Sequence, residues 1–197
     1  MISLVVLVLL YIFIGGAIKF VDQAYDEDEW SLKGAFYLAV VLGGVMGLLA
    51  AIDDPFSTAF FWAMFVSLIL ARKVDNAAFL ACSVVAIGVF AVIALMQGSI
   101  IFLPLAFAAF MAAGFIDEIA DGYAHKKQMG VWMDRFLHYR PFSDFAMVAM
   151  VLLGVFPAAM LIPYFAFTIS YNLVERISPI DMGSSLKGLL MRAVHLR

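Results

Sequence analysis

Cysteine is nearly absent: Cys82 is the only one in 197 residues. That excludes a disulfide framework or a multi-cysteine metal centre within one chain, and Cys82, set in an apolar run, reads as a small buried hydrophobe. Charge is scarce too. Asp, Glu, Lys and Arg make up 14% of the residues, against about 25% in an average soluble domain. Basic residues are not in excess; the net charge is −3 and the pI about 5.5. An electropositive nucleic-acid surface is therefore excluded. Alternating polar and apolar stretches are lacking, which argues against a transmembrane β-barrel.

What is present is apolar sequence in long blocks. Hydrophobic residues make up 65% of the chain, and the mean hydropathy is +1.04. A soluble domain of this size has too much surface for its volume to hide so much apolar material. A bilayer removes that difficulty. The sequence therefore predicts an all-α, polytopic integral membrane bundle over residues 1–175. A basic tail over residues 176–197 follows, which reads as a surface-lying amphipathic helix or a disordered segment.

The runs give the spans. Met1–Ile18 is uncharged and lacks the basic flank and cleavage site of a signal peptide, so it is read as retained. Gly34–Ile52 and Pro55–Ala71 follow. Ala77–Ile116 is uncharged throughout, too long for one span of about 20 residues and suited to two. Gln97-Gly98-Ser99 supplies the turn. Phe145–Val174 contains Pro157 and Pro163 and is expected as one long kinked helix, with a short hairpin as the alternative. Six spans result, with five or seven as variants.

Threading these spans places Lys19, Lys33, Arg72, Lys73, Lys126, Lys127, Arg135 and Arg140 on one face. Asp53 and Asp54 lie on the other. The positive-inside rule makes the basic face cytoplasmic and the N-terminus external, in a cytoplasmic membrane. The side of the tail depends on the last run.

Acids gather on the same basic face. Asp22 and Asp26 close the first run, and Asp117 and Asp121 the fifth; each i, i+4 pair shares a helical face. His125 extends the second stripe to i+8. Two carboxylates and an imidazole in line suit a divalent metal, Mg²⁺ or Mn²⁺. The expected metal ligands are therefore Asp117, Asp121, Asp22, Asp26 and His125. Arg72, Lys73 and Arg140 are the expected phosphate contacts. Metal plus phosphate beside an apolar bundle points to a lipid-phosphate or prenyl-diphosphate enzyme, with membrane lipids as partners. Two rivals share these features: a non-catalytic membrane subunit or scaffold, and a cation transporter or channel. The span interiors are poor in polar groups, which counts against the transporter.

Residues Glu118-x-x-Asp121-Gly122-x-Ala124 and Gly130-x-x-x-Asp134 are similar in vocabulary to the D-x-x-D-G-x-x-A-R…G-x-x-x-D-x-x-x-D motif of six-span CDP-alcohol phosphotransferases. Here the first acid is Glu, His125 and His138 replace the motif's Arg and last Asp, and two spacings are shorter. The likeness implies metal–phosphate chemistry rather than membership of that family.

Overall fold

The apolar runs become helices. The computed structural model describes residues 2–26, 31–74, 76–98, 100–127 and 131–177, and no strand occurs among them. The helices are α1 (Leu4–Asp26), α2 (Leu32–Ile52), α3 (Pro55–Leu70), α4 (Ala77–Gln97), α5 (Pro104–Lys127), α6 (Val131–His138), α7 (Pro141–Leu152) and α8 (Leu161–Ile177). A short 3-10 turn, Ala158–Met160, precedes α8. By length and composition, α1, α2 and α4 are each sufficient to cross a bilayer, and α3 and α7 are shorter apolar helices. The architecture is compatible with a membrane location.

Local chemistry sets the helix ends. Ser31, Asp54 and Asn76 cap α2, α3 and α4, each side chain accepting a backbone N–H of the first turn. These bonds satisfy donors that a helix start leaves unpaired. Pro55 occupies the first turn of α3, where its missing N–H costs nothing. Gly98 ends α4 in the left-handed region at φ 73°, the conformation the Gln97-Gly98 turn requires. The tail beyond Ile177 lies outside the described residues.

Helices pair out of sequence and in parallel. Gly43 and Gly47 of α2 meet the backbone of Cys82 and Ala86 of α4 so closely that a Cβ at either glycine would overlap a carbonyl oxygen. Gly15 of α1 meets Phe167 of α8 in the same way. Close backbone approach through small residues is how apolar helices associate when burial alone supplies little drive. In the third pair, Gly114 of α5 lies against Ser67 of α3, and Phe60 packs on Phe110. At Gly44, by contrast, a Cβ would meet nothing within 4 Å.

The last run departs from the long kinked helix and takes the hairpin form. At the end of α7, Val155 N–H bonds Met150 O (2.9 Å) and Gly154 N–H bonds Val151 O (3.0 Å). This Schellman pattern puts Gly154 at φ 73°, and Pro157 follows where a helix cannot resume. The chain then folds back. Tyr164 OH donates to Asp144 Oδ1 at 3.0 Å, and an Arg140 N–H donates to Tyr171 OH at 3.2 Å, so α7 and α8 run antiparallel. The end of α8 therefore returns to the end at which α1 finishes, where Lys19 Nζ lies 2.6 Å from Glu175 Oε1.

An aromatic cluster fills the interior. Phe56 lies 5.1 Å from Phe156, and Phe60 lies 5.5 Å from Tyr164 and 5.4 Å from Phe167, centroid to centroid. These contacts tie α3, α8 and the α7–α8 connection, and Tyr11 of α1 stacks on the same group. Part of the chain's phenylalanine content thus forms the core.

Candidate functional site

Asp117 sits near the basic end of α5 with 1% of its surface exposed. Its Oδ1 accepts Phe142 N–H at 3.0 Å, and its Oδ2 accepts Ser143 N–H at 2.8 Å and Ser143 Oγ–H at 2.6 Å. Phe142 and Ser143 are the second and third residues of α7. Pro141 has no N–H, and Arg140, the residue before α7, makes no side-chain cap bond. Asp117 therefore caps α7 from another helix, and its negative charge faces the positive end of the helix dipole.

Arg140 is the second anchor. Its backbone is left-handed at φ 53°, a conformation that costs a non-glycine residue about 1–2 kcal/mol. The guanidinium lies 2.8 Å from Glu118 Oε1, and Glu118 is buried. The guanidinium carbon stands 4.9 Å from the centre of the Tyr171 ring. Burial opposes its charge, but the fields of Tyr171, Glu118, Asp22 and Asp121 outweigh burial and move its pKa above the ordinary value. Arg140 thus lies within the electrostatic reach of one acid from each stripe.

Lys19 extends this network. It lies 3.2 Å from Asp22 Oδ2 and 2.6 Å from Glu175 Oε1, and 5.4 Å from the Tyr171 ring centre. Tyr171 therefore stands between two cations, one from α1 and one preceding α7. Arg176 donates to Tyr139 OH, joining α8 to the segment before α7.

A cleft of about 650 Å³, counted with its open mouth, lies between α3, α5, α7 and α8. One end is polar, with Asp117, Glu118, Arg140, Ser143, Asp144 and Asn172; the other is aromatic, with Phe60, Phe110 and Phe167.

The expected site residues separate into groups. Asp117 and Arg140 line the cleft. Asp22 and Asp121 lie in the field of Arg140 without lining it. Arg72 and Lys73 are exposed at the end of α3. There Arg72 N–H bonds Ile69 O and Lys73 N–H bonds Leu68 O, so their backbone closes the helix. They do not line the cleft with Arg140. The side chains of Asp26 and His125 lie outside the described residues. Among the described residues no three His, Cys, Asp or Glu side chains converge as a metal cradle.

Several cleft residues carried no sequence signal of their own. Ser143, Asp144, Tyr164 and Tyr171 lie in or beside an apolar run. Only the fold-back of α8 onto α7 brings the two tyrosines to the acids. Asp144, inside an apolar bundle, is the kind of residue that marks a functional site by its cost alone. Compared with family models, curated proteins and solved structures, the chain matches none.

Proposed function

We propose that this is an integral membrane protein that seats a lipid-like amphiphile in the cleft between α3, α5, α7 and α8. The observation that carries the proposal is the two-ended lining, with ionic groups at one end and Phe60, Met64, Phe110 and Phe167 at the other. A chain among the aromatics and a head at the Arg140 end is the occupant such a lining fits. The aromatic layer of Phe56, Phe60, Phe110 and Phe156 favours a closed pocket over an ion path, since a path needs polar groups at mid-depth.

The basic face is the cytoplasmic one in this reading, with the N-terminus outside. The hairpin favours return of the last run to the cytoplasmic face, carrying Arg176 there. Lipid-phosphate chemistry with a divalent metal would need carboxylate oxygens open to the ion. Those of Asp117 already accept three hydrogen bonds, so the proposal places no metal there. Thr168→Trp fills the cleft from α8. Retention of a twelve-carbon amphiphile by the purified protein, measured by native mass spectrometry, should fall in this variant. Equal retention would refute the proposal.

A further inference from the structure

From the charge balance of the cleft, we infer that its preferred occupant carries a cationic amine head, with Asp144 as the ionic partner. This inference rests on the amphiphile reading above. Three carboxylates line the cleft, Asp117, Glu118 and Asp144, against one guanidinium, Arg140. Glu118 is paired with Arg140 at 2.8 Å. Asp117 is bound by three donors at the start of α7. Asp144 has one neutral donor, Tyr164 OH on Oδ1 at 3.0 Å, and no ion pair among the described residues. A bare phosphate head would enter a lining with excess negative charge and would compete with Glu118 for Arg140. An ammonium head meets the opposite balance.

The walls suit the same group. Asp144 lies beside Tyr164, and Phe60 and Phe167 line the cleft with it, whereas the Tyr171 ring already faces Lys19 and Arg140. Aromatic faces attract ammonium ions within about 6 Å, more strongly when desolvated. Arg140, the residue before α7, lines the same cleft as Asp144. A head bearing both an ammonium and a phosphate could therefore reach both. The apolar end, from Met64 to Phe110, accounts for the chain.

Native mass spectrometry of the full chain in a neutral maltoside detergent tests this with four probes: dodecylamine, dodecyl phosphate, dodecyl maltoside and n-butylamine. Dodecylamine should bind about tenfold tighter than dodecyl phosphate, the ratio equivalent to about 1.4 kcal/mol. Asp144→Asn, which keeps an oxygen for Tyr164, should remove that preference and leave dodecyl maltoside retention unchanged. Equal or tighter binding of dodecyl phosphate, or an unchanged preference in Asp144→Asn, overturns the amine assignment and leaves the amphiphile reading standing. Binding of n-butylamine as tight as dodecylamine overturns the lipid character of the occupant. Failure of every twelve-carbon probe to be retained overturns both readings.

Discussion

Asp117 and Ser143, 26 positions apart in sequence, are joined by two hydrogen bonds, 2.8 Å to the backbone N–H and 2.6 Å to the hydroxyl. One carboxylate thereby starts a helix to which it does not belong. Arg140 can then stay left-handed, because the turn that follows it is held from outside.

This cap defines the first prediction. Asp117→Ala should lower thermal stability by about 2–4 kcal/mol, since it strands buried donors that each cost about 1–3 kcal/mol. Asp117→Asn keeps one acceptor oxygen and should lose less. Both losses should be the same in Mg²⁺ and in EDTA when melting is followed by intrinsic fluorescence. A loss seen only with Mg²⁺ present would assign Asp117 to a metal instead.

Glu118 and Arg140 form a pair whose members should not act independently. Glu118→Gln removes the counter-charge of a half-buried guanidinium. Arg140→Gly removes the same pair but relieves about 1 kcal/mol of backbone strain. A double-mutant cycle on thermal unfolding should give a coupling energy of about 1–3 kcal/mol, the range for residues in one ionic network. Strict additivity would show that the pair contributes nothing.

The glycines of α2 offer an internal control. Gly43→Ala and Gly47→Ala each drive a Cβ into a backbone carbonyl of α4, a contact that only helix separation relieves. Each should cost about 1–3 kcal/mol, as overpacking does. Gly44→Ala and Gly88→Ala place a Cβ where nothing lies within 4 Å, so both should melt as the parent does. Equal effects at all four positions would contradict the α2–α4 packing.

The hairpin of α7 and α8 makes a prediction about sidedness. In a background where Cys82→Ala removes the native thiol, single cysteines replacing Arg72 and Arg176 should react with an impermeant maleimide from the same side of sealed vesicles. A cysteine replacing Asp54 should react from the other side. Labelling of the Arg176 position together with the Asp54 position would restore the single long helix.

Much of this fold was legible in the sequence. The uncharged runs mark the first five helices, and Gly98 marks a turn. The last run was misread for a physical reason. Its thirty uncharged positions mask a stop signal, Gly154 at a helix C-terminus with Pro157 three residues on. The candidate site was legible only in part. Charge placement pointed to Asp117 and Arg140 at one end of the bundle. It gave no sign that Asp117 serves as a cap, because a trans cap depends on tertiary approach rather than on neighbours in sequence. Nothing in the sequence singles out Tyr164 and Tyr171, which reach Asp144 and Arg140 only through the return of α8.

The most direct test of the account is photo-crosslinking with a lipid whose chain carries a diazirine, followed by peptide mapping of the labelled protein. Saturable labelling should concentrate on Phe60, Met64, Leu68, Tyr164 and Phe167, which line the cleft, and fall in Thr168→Trp. Labelling confined to the outward positions of α4, such as Leu80 and Val84, and unchanged by Thr168→Trp, would contradict it.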